Sequence, residues 1–108
     1  MPHYLLQASY SAQGVSGLIS SPEDRSAVLR SLVEGLGGRM ESLYYAFGDS
    51  DVVAIFELPD NVTMAALSMV AGASGALSNL KTTVLIPITE GVEAARKVGT
   101  IGYRPPGS

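Results

Sequence analysis

The sequence predicts an α+β domain in which a four-stranded antiparallel sheet carries two helices on one face. Three observations predict it. The chain opens on strand-like alternation, with Tyr4, Leu6, Ala8 and Tyr10 interleaved by His3, Leu5, Gln7 and Ser9. A helix-forming stretch follows, framed by Ser21-Pro22-Glu23-Asp24 and Gly37-Gly38. Two β-rich runs then meet at Gly48-Asp49-Ser50, and a second helix and strand come after them.

The first strand is expected over His3 to Tyr10. Residues 11–20 carry Gly14, Gly17 and several serines, which predicts a loop or an irregular helix start. Ser21 suits an N-cap, Pro22 the first helical position, and Glu23 and Asp24 the positive end of the helix dipole. Val28, Leu29, Leu32, Val33 and Leu36 then mark one helical face. Gly37 and Gly38 end that helix, because glycine adopts the left-handed cap at little cost. Strands are expected over Arg39 to Phe47 and Asp51 to Leu58. Pro59 stops the third strand, and Asp60 caps a helix over Asn61 to Ala73 that Ser74-Gly75 closes. Leu80 to Pro87, rich in Thr, Val, Leu and Ile, reads as the fourth strand. Thr89 caps a short helix over Glu90 to Val98, and the Gly- and Pro-rich residues 99–108 form a tail.

This order is the ferredoxin-like βαββαβ plan with an extra short C-terminal helix, in a domain spanning residues 1–98. Its crossovers place both main helices on one sheet face. The other face is left bare, and a second copy of the chain is its usual cover. A homo-oligomer, dimer or higher, assembled through the open sheet face is therefore expected.

Composition narrows the function classes. The 108 residues suit one domain, and cysteine is absent, which removes disulfides, thiolate metal sites and thiol nucleophiles. Only 16% of residues are charged against 46% apolar, so the polar surface is thin. The net charge is −3 with no basic cluster, which argues against a nucleic-acid partner. Asn61 to Leu80 carries no charge, but its Asn, Ser, Thr and Gly residues point to a helix buried in protein rather than in a membrane. The N-terminus lacks the basic opening of a signal peptide, and a cytoplasmic location is expected.

Several segments together resemble one family. They are Gly14 and Gly17 after the first strand, "SPEDR", "LGGRMESLYYAFG", Asp51 with "VVAIFELPD", and "ASGAL" before the last strand. In order and spacing, Tyr4 to about Lys97 resembles the GYD-domain family, within the dimeric α/β-barrel group of ferredoxin-like folds. The name-giving signature is Gly, any residue, Tyr, Asp. Here it reads Gly48-Asp49-Ser50-Asp51, with serine in place of the tyrosine. The resemblance implies the fold and a homo-oligomer, and places Gly48 and Asp51 at the hairpin. The wider group includes cofactor-independent oxygenases and isomerases, so the resemblance also makes such chemistry an expectation to test.

Gly48 and Asp51 are expected to be structural turn residues: glycine for its backbone freedom, aspartate to accept turn amides. A cation site on Asp49 and Asp51 would need further oxygens at ordered spacing, and they are absent nearby. The bare sheet face is the better place for a ligand. Alternation puts His3 and Gln7 there with Leu5, puts Glu57 there with Val53 and Ile55, and adds Leu43 and Tyr45 from the second strand. Antiparallel pairing brings His3 near Glu57. A half-apolar wall with His3, Gln7, Tyr45 and Glu57 as its polar groups is how small-molecule sites are built. His3, the only histidine, is the natural acid/base candidate, with Glu57 beside it. One His and one Glu fall short of a metal site, so no metal and no cofactor is expected. Arg25, in the first turn of its helix, is expected to pair with Glu23, Asp24 or an acid across an interface, with a substrate carboxylate as the alternative partner. Gly14 and Gly17 lack the ending of a phosphate loop. The functional expectation is a small-molecule-binding protein in an accessory or regulatory role. The alternatives are a cofactor-independent enzyme for a small apolar or aromatic substrate, and a purely structural assembly module.

Overall fold

A computed structural model describes residues 1–107 of the chain. The elements run β1 (His3–Tyr10), α1 (Ala12–Ser20), α2 (Ser26–Gly35), β2 (Arg39–Tyr45), β3 (Val52–Glu57), α3 (Asn61–Ala73), β4 (Leu77–Leu85) and α4 (Ile88–Lys97), followed by a 3-10 turn at Val98–Thr100. The four strands form one antiparallel sheet in the order β2-β3-β1-β4. This is the α+β, ferredoxin-like arrangement that the element order predicts.

Alternation sets the two faces. Tyr4 and Ala8 of β1 and Val52, Ala54 and Phe56 of β3 are buried on one side. There they meet Val33 of α2 and Met64 and Leu67 of α3, with Leu58 fully enclosed. The Tyr4 and Phe56 rings stand 6.3 Å apart, and the Tyr4 hydroxyl donates to Asn61 Oδ1 at 2.6 Å, so the buried phenol keeps a polar partner. His3, Leu5 and Gln7, with Val53, Ile55 and Glu57, point to the opposite face, which no helix of the described residues covers.

Several boundaries differ from those expected. The last helix opens at Ile88 after Pro87 and takes no side-chain cap, so Thr89 lies inside it rather than capping it. Residues 12–20 form a regular helix, although Gly14 and Gly17 argue for a loop. Ser11 caps it by accepting from the Gly14 amide at 3.1 Å. Gly14 is a close-approach residue there, because a Cβ would collide with the Ala76 carbonyl. Ser21 consequently does not open the next helix. Its amide donates to the Gly17 carbonyl and closes α1, while α2 starts at Ser26, whose amide donates to Asp24 Oδ1 at 2.8 Å. Finally, β4 begins at Leu77 rather than Leu80. The added turn of strand includes Asn79 at φ 50°, beside a register shift against β1.

The helix ends follow their chemistry. Gly37, at φ 86°, closes α2, its amide donating to Glu34 and that of Gly38 to Val33. Asp60 caps α3, accepting from the Thr63 hydroxyl at 2.7 Å and its amide at 2.8 Å. These bonds hold the Asp60 carboxyl below its ordinary value of 3.8, and bonds from Ser26 do the same for Asp24. A carboxyl depressed in the folded state contributes stability above its unfolded-state pKa. That contribution is lost as pH falls through the folded value. The melting temperature should therefore drop below about pH 4, and Asp60→Asn, which keeps a cap but cannot titrate, should drop less steeply. Circular dichroism melts at a series of pH values check this; identical acid slopes for the two proteins would refute the assignment.

The C-terminal end departs from compactness. The radius of gyration is 17.6 Å and the longest extent 60 Å, against about 13 Å expected for the radius of a compact chain of this length. The excess arises after Leu85. No residue of α4 is buried, and the helix packs chiefly against the 3-10 turn that follows it. No helix among the described residues is long and apolar enough to cross a membrane.

Candidate functional site

The free sheet face carries a group of charged side chains at one end. Register places His3 of β1 opposite Glu57 of β3, and Glu57 opposite Arg39 of β2. The three lie in one row across adjacent strands, where cross-strand neighbours stand close enough to interact. His3 Nε2 is 3.4 Å from Glu57 Oε1, and His3 Nδ1 is 3.1 Å from Glu41 Oε1. Arg39 donates to Glu57 Oε2 through Nε at 3.0 Å, and its Nη2 stands 2.9 Å from the same oxygen. Its Nη2 also lies 3.8 Å from Glu41 Oε1. Glu57 is the most protected of the four side chains, and Arg39 the most exposed.

Sequence alternation brings His3 and Glu57 together correctly. Arg39 and Glu41 share that face, as the even alternation expected for β2 would have them, although neither was singled out. The alternation fails after them, at a bulge in β2. Met40 pairs with Phe56 and Ser42 with Ile55, which leaves Glu41 as the extra residue. The bulge reverses the facing of every later residue in the strand. Leu43 therefore packs against the core, and Tyr45 pairs with Val52 on the helix side, 6.2 Å ring to ring from Tyr10. Tyr45 does not share the face of His3, contrary to the even alternation assumed for β2. Tyr44, opposite Val53, takes that place, and Gln7 lies in the same row. Gln7 is four residues along β1 from His3, roughly 13 Å at strand rise, so it shares the face without joining the charged group. The missed signal is legible: Met40 and Leu43 are three apart, an odd spacing for two core residues of one strand.

The hairpin residues are structural. Asp51 Oδ2 accepts from the Tyr10 amide at 2.9 Å, and the Asp51 amide donates to the Ala8 carbonyl at 2.9 Å. The side chain thus ties the β2–β3 connection to β1, in place of the turn amides expected. Gly48 has no positive φ and open space where a Cβ would stand, so the backbone freedom expected of it is not used. Arg25 pairs with Glu23 at 2.9 Å, as an ordinary surface ion pair.

Two apolar concavities lie on the helix side of the sheet. One, about 450 Å³, is framed by Tyr10, Val15, Leu18, Tyr45 and Phe47. Burial, and next the neighbouring Tyr45, raise the Tyr10 phenol to about 12, so it stays protonated at physiological pH. The other, about 330 Å³, opens between α2 and α3 above Phe56 and is lined mainly by core side chains such as Leu29, Leu43 and Leu67. Glu23 and Asp51 also line the first and Arg25 the second, but none of these is an imidazole, and Arg25 is already paired with Glu23 at 2.9 Å.

Chemically, the free-face group combines an imidazole flanked by two carboxylates with a guanidinium that takes the outer oxygen of one of them. A proton on either ring nitrogen of His3 faces a carboxylate oxygen. The arrangement can bind the polar end of a molecule and can hold or pass a proton. Leu5, Val53 and Ile55 continue the same face as a half-buried apolar wall. A search of curated proteins finds no match to this chain. The family comparison does: residues 4–95 match the GYD domain, which covers the sheet from Tyr4 onward, α1 to α3 and most of α4, and the chain belongs to the GYD domain family.

Proposed function

We propose that the protein is a homo-oligomeric small-molecule-binding protein, with its site on the free sheet face and an accessory or regulatory role. The observation that carries this reading is the convergence of His3, Glu41, Glu57 and Arg39 beside the apolar wall of Leu5, Val53 and Ile55. A few polar groups on an apolar surface give a ligand both orientation and burial. A second copy supports the reading by closing the face into a chamber, since uncovered apolar sheet is the surface a partner removes from water. Native mass spectrometry of the freshly purified, tag-free chain tests both parts. The expected result is an oligomer that carries extra mass, released on denaturation. His3→Ala and Glu57→Gln should each lower the retained mass at least tenfold while leaving the fold intact. A bare monomer at micromolar concentration would overturn the proposal.

A cofactor-independent enzyme is the second reading, and the imidazole between two carboxylates favours it. Its mark is a split between binding and turnover: Glu57→Gln would keep the small molecule but lose its conversion. An oligomer that stays free of bound mass in every preparation and against every substrate offered would instead support a structural assembly module.

A further inference from the structure

Two ligands hold a divalent cation poorly, and His3 with Glu57 supplies only two. The bulge in β2 supplies a third. Glu41 is the residue it inserts, and its carboxylate stands over the same end of the free face. One ligand atom from each of His3, Glu41 and Glu57 lies within 4.8 Å of the other two. In a four-coordinate site with bonds of about 2.0–2.1 Å, ligand atoms stand about 3.3 Å apart. His3 Nε2 and Glu57 Oε1, at 3.4 Å, already meet that spacing. Glu41 Oε1 now faces the other ring nitrogen, Nδ1, at 3.1 Å, so a cation on Nε2 requires the partly exposed Glu41 side chain to change rotamer toward Glu57.

Two further features fit a cation. The three residues stand on adjacent strands β2, β3 and β1, so the ladder fixes their backbones and no loop has to move. Arg39 occupies only Glu57 Oε2, and that fork leaves Oε1 directed at His3. With His3 neutral, the two carboxylates and one guanidinium leave the group one net negative charge.

We propose that His3, Glu41 and Glu57 form a three-ligand site for a divalent first-row transition cation, with its remaining positions open toward the free face. One imidazole nitrogen with two carboxylates suits Zn²⁺ or Mn²⁺. It disfavours Mg²⁺ and Ca²⁺, which prefer all-oxygen shells with more ligands. This rests on the reading that the free face carries the small-molecule site, and it specifies the molecule's polar end. That end is an anionic oxygen, such as a carboxylate or an enolate, able to fill an open position on the cation.

The test uses the tag-free full chain, stripped with a chelator and titrated calorimetrically with ZnCl₂, MnCl₂ and MgCl₂. The expected result is one Zn²⁺ per chain with saturable binding, weaker binding of Mn²⁺ and none of Mg²⁺. His3→Ala, Glu41→Gln and Glu57→Gln should each weaken Zn²⁺ at least tenfold. Glu41→Gln lies at a partly exposed bulge and keeps the core untouched, so its circular dichroism and melting should match the parent. Absence of saturable Zn²⁺ binding would overturn the site and leave a self-contained ion-pair group. Equal Zn²⁺ affinity in Glu41→Gln would overturn it too, placing the metal elsewhere. The two readings fail separately. A chain that retains its small molecule without taking up Zn²⁺ overturns the cation alone; one that takes up Zn²⁺ but retains no small molecule overturns only the binding reading.

Discussion

Gly38→Ala is expected to remove a large fraction of the stability of the chain. Gly38 stands just before Arg39, where β2 enters the sheet opposite the end of β3. A Cβ there would land on the Glu57 carbonyl oxygen and lie 2.8 Å from Leu58 Cδ2. The oxygen belongs to backbone and Leu58 is fully buried, so neither can move aside cheaply. Relief requires β2 to shift away from β3 in the row that carries Arg39 and Glu57. Overpacking a core ordinarily costs about 1–3 kcal/mol, and a clash with backbone belongs at or above the top of that range. Against a total of about 5–15 kcal/mol for a domain, this is a large fraction. Gly48→Ala is the control: its Cβ meets nothing within 4 Å, and the effect should stay within about 0.5 kcal/mol. Urea denaturation of both variants decides the matter. Equal midpoints would mean that β2 has slack at its entry, and the rigid placement of Glu57 would go with it.

Gly38 also shows where a sequence stops being legible. Its role as a helix terminator can be read from the Gly37-Gly38 pair, and α2 does end there. Its second role, making room for a neighbouring strand, depends on a contact nineteen residues away that no local pattern records. Gly14 repeats the lesson more sharply. Read locally it is a helix breaker, and that reading predicts a loop or an irregular helix start over residues 11–20. In the fold it is the residue that lets α1 pass the Ala76 carbonyl.

The sheet was legible because period-two alternation is strong in β1 and β3, where Tyr4, Ala8, Val52, Ala54 and Phe56 are all buried. That alternation alone predicts the pairing of His3 with Glu57. β2 was not legible to the same depth, since one inserted residue reverses all later facings. Tyr45 leaves the candidate face by that single residue, whereas Arg39 and Glu41, which precede the slip, keep the face that even alternation gives them. The caps divide in the same way. Asp60 was readable because its partner, Thr63, is three residues away. Ser21 misled because α1, which it closes, had not been recognised.

Truncation after Ile86 is expected to weaken self-association by at least a hundredfold while leaving the melting of the isolated domain nearly unchanged. The second half follows from the core, to which no residue beyond Leu67 contributes, so removing α4 opens no cavity. The first half follows from the helix itself. Ile88, Val92 and Ala95 recur at helical spacing and form one apolar stripe, yet Ile88 and Val92 remain exposed, as do Ile86, Val98, Ile101 and Tyr103 around them. A ten-residue helix without tertiary support is marginal in water, so α4 gains most from a packing surface on another molecule. In the homo-oligomer proposed above, a second copy would supply that surface at no cost in specificity, because each chain offers the same arm and the same body in a symmetric pair. Burying an Ile or Val side chain is worth about 1.5–3 kcal/mol, and two per arm correspond to at least about a hundredfold in Kd. Analytical ultracentrifugation of the full and truncated chains over a concentration series gives the measurement. A truncated chain that assembles as tightly as the parent would assign self-association to the sheet face alone, and α4 would then need a partner other than its own kind.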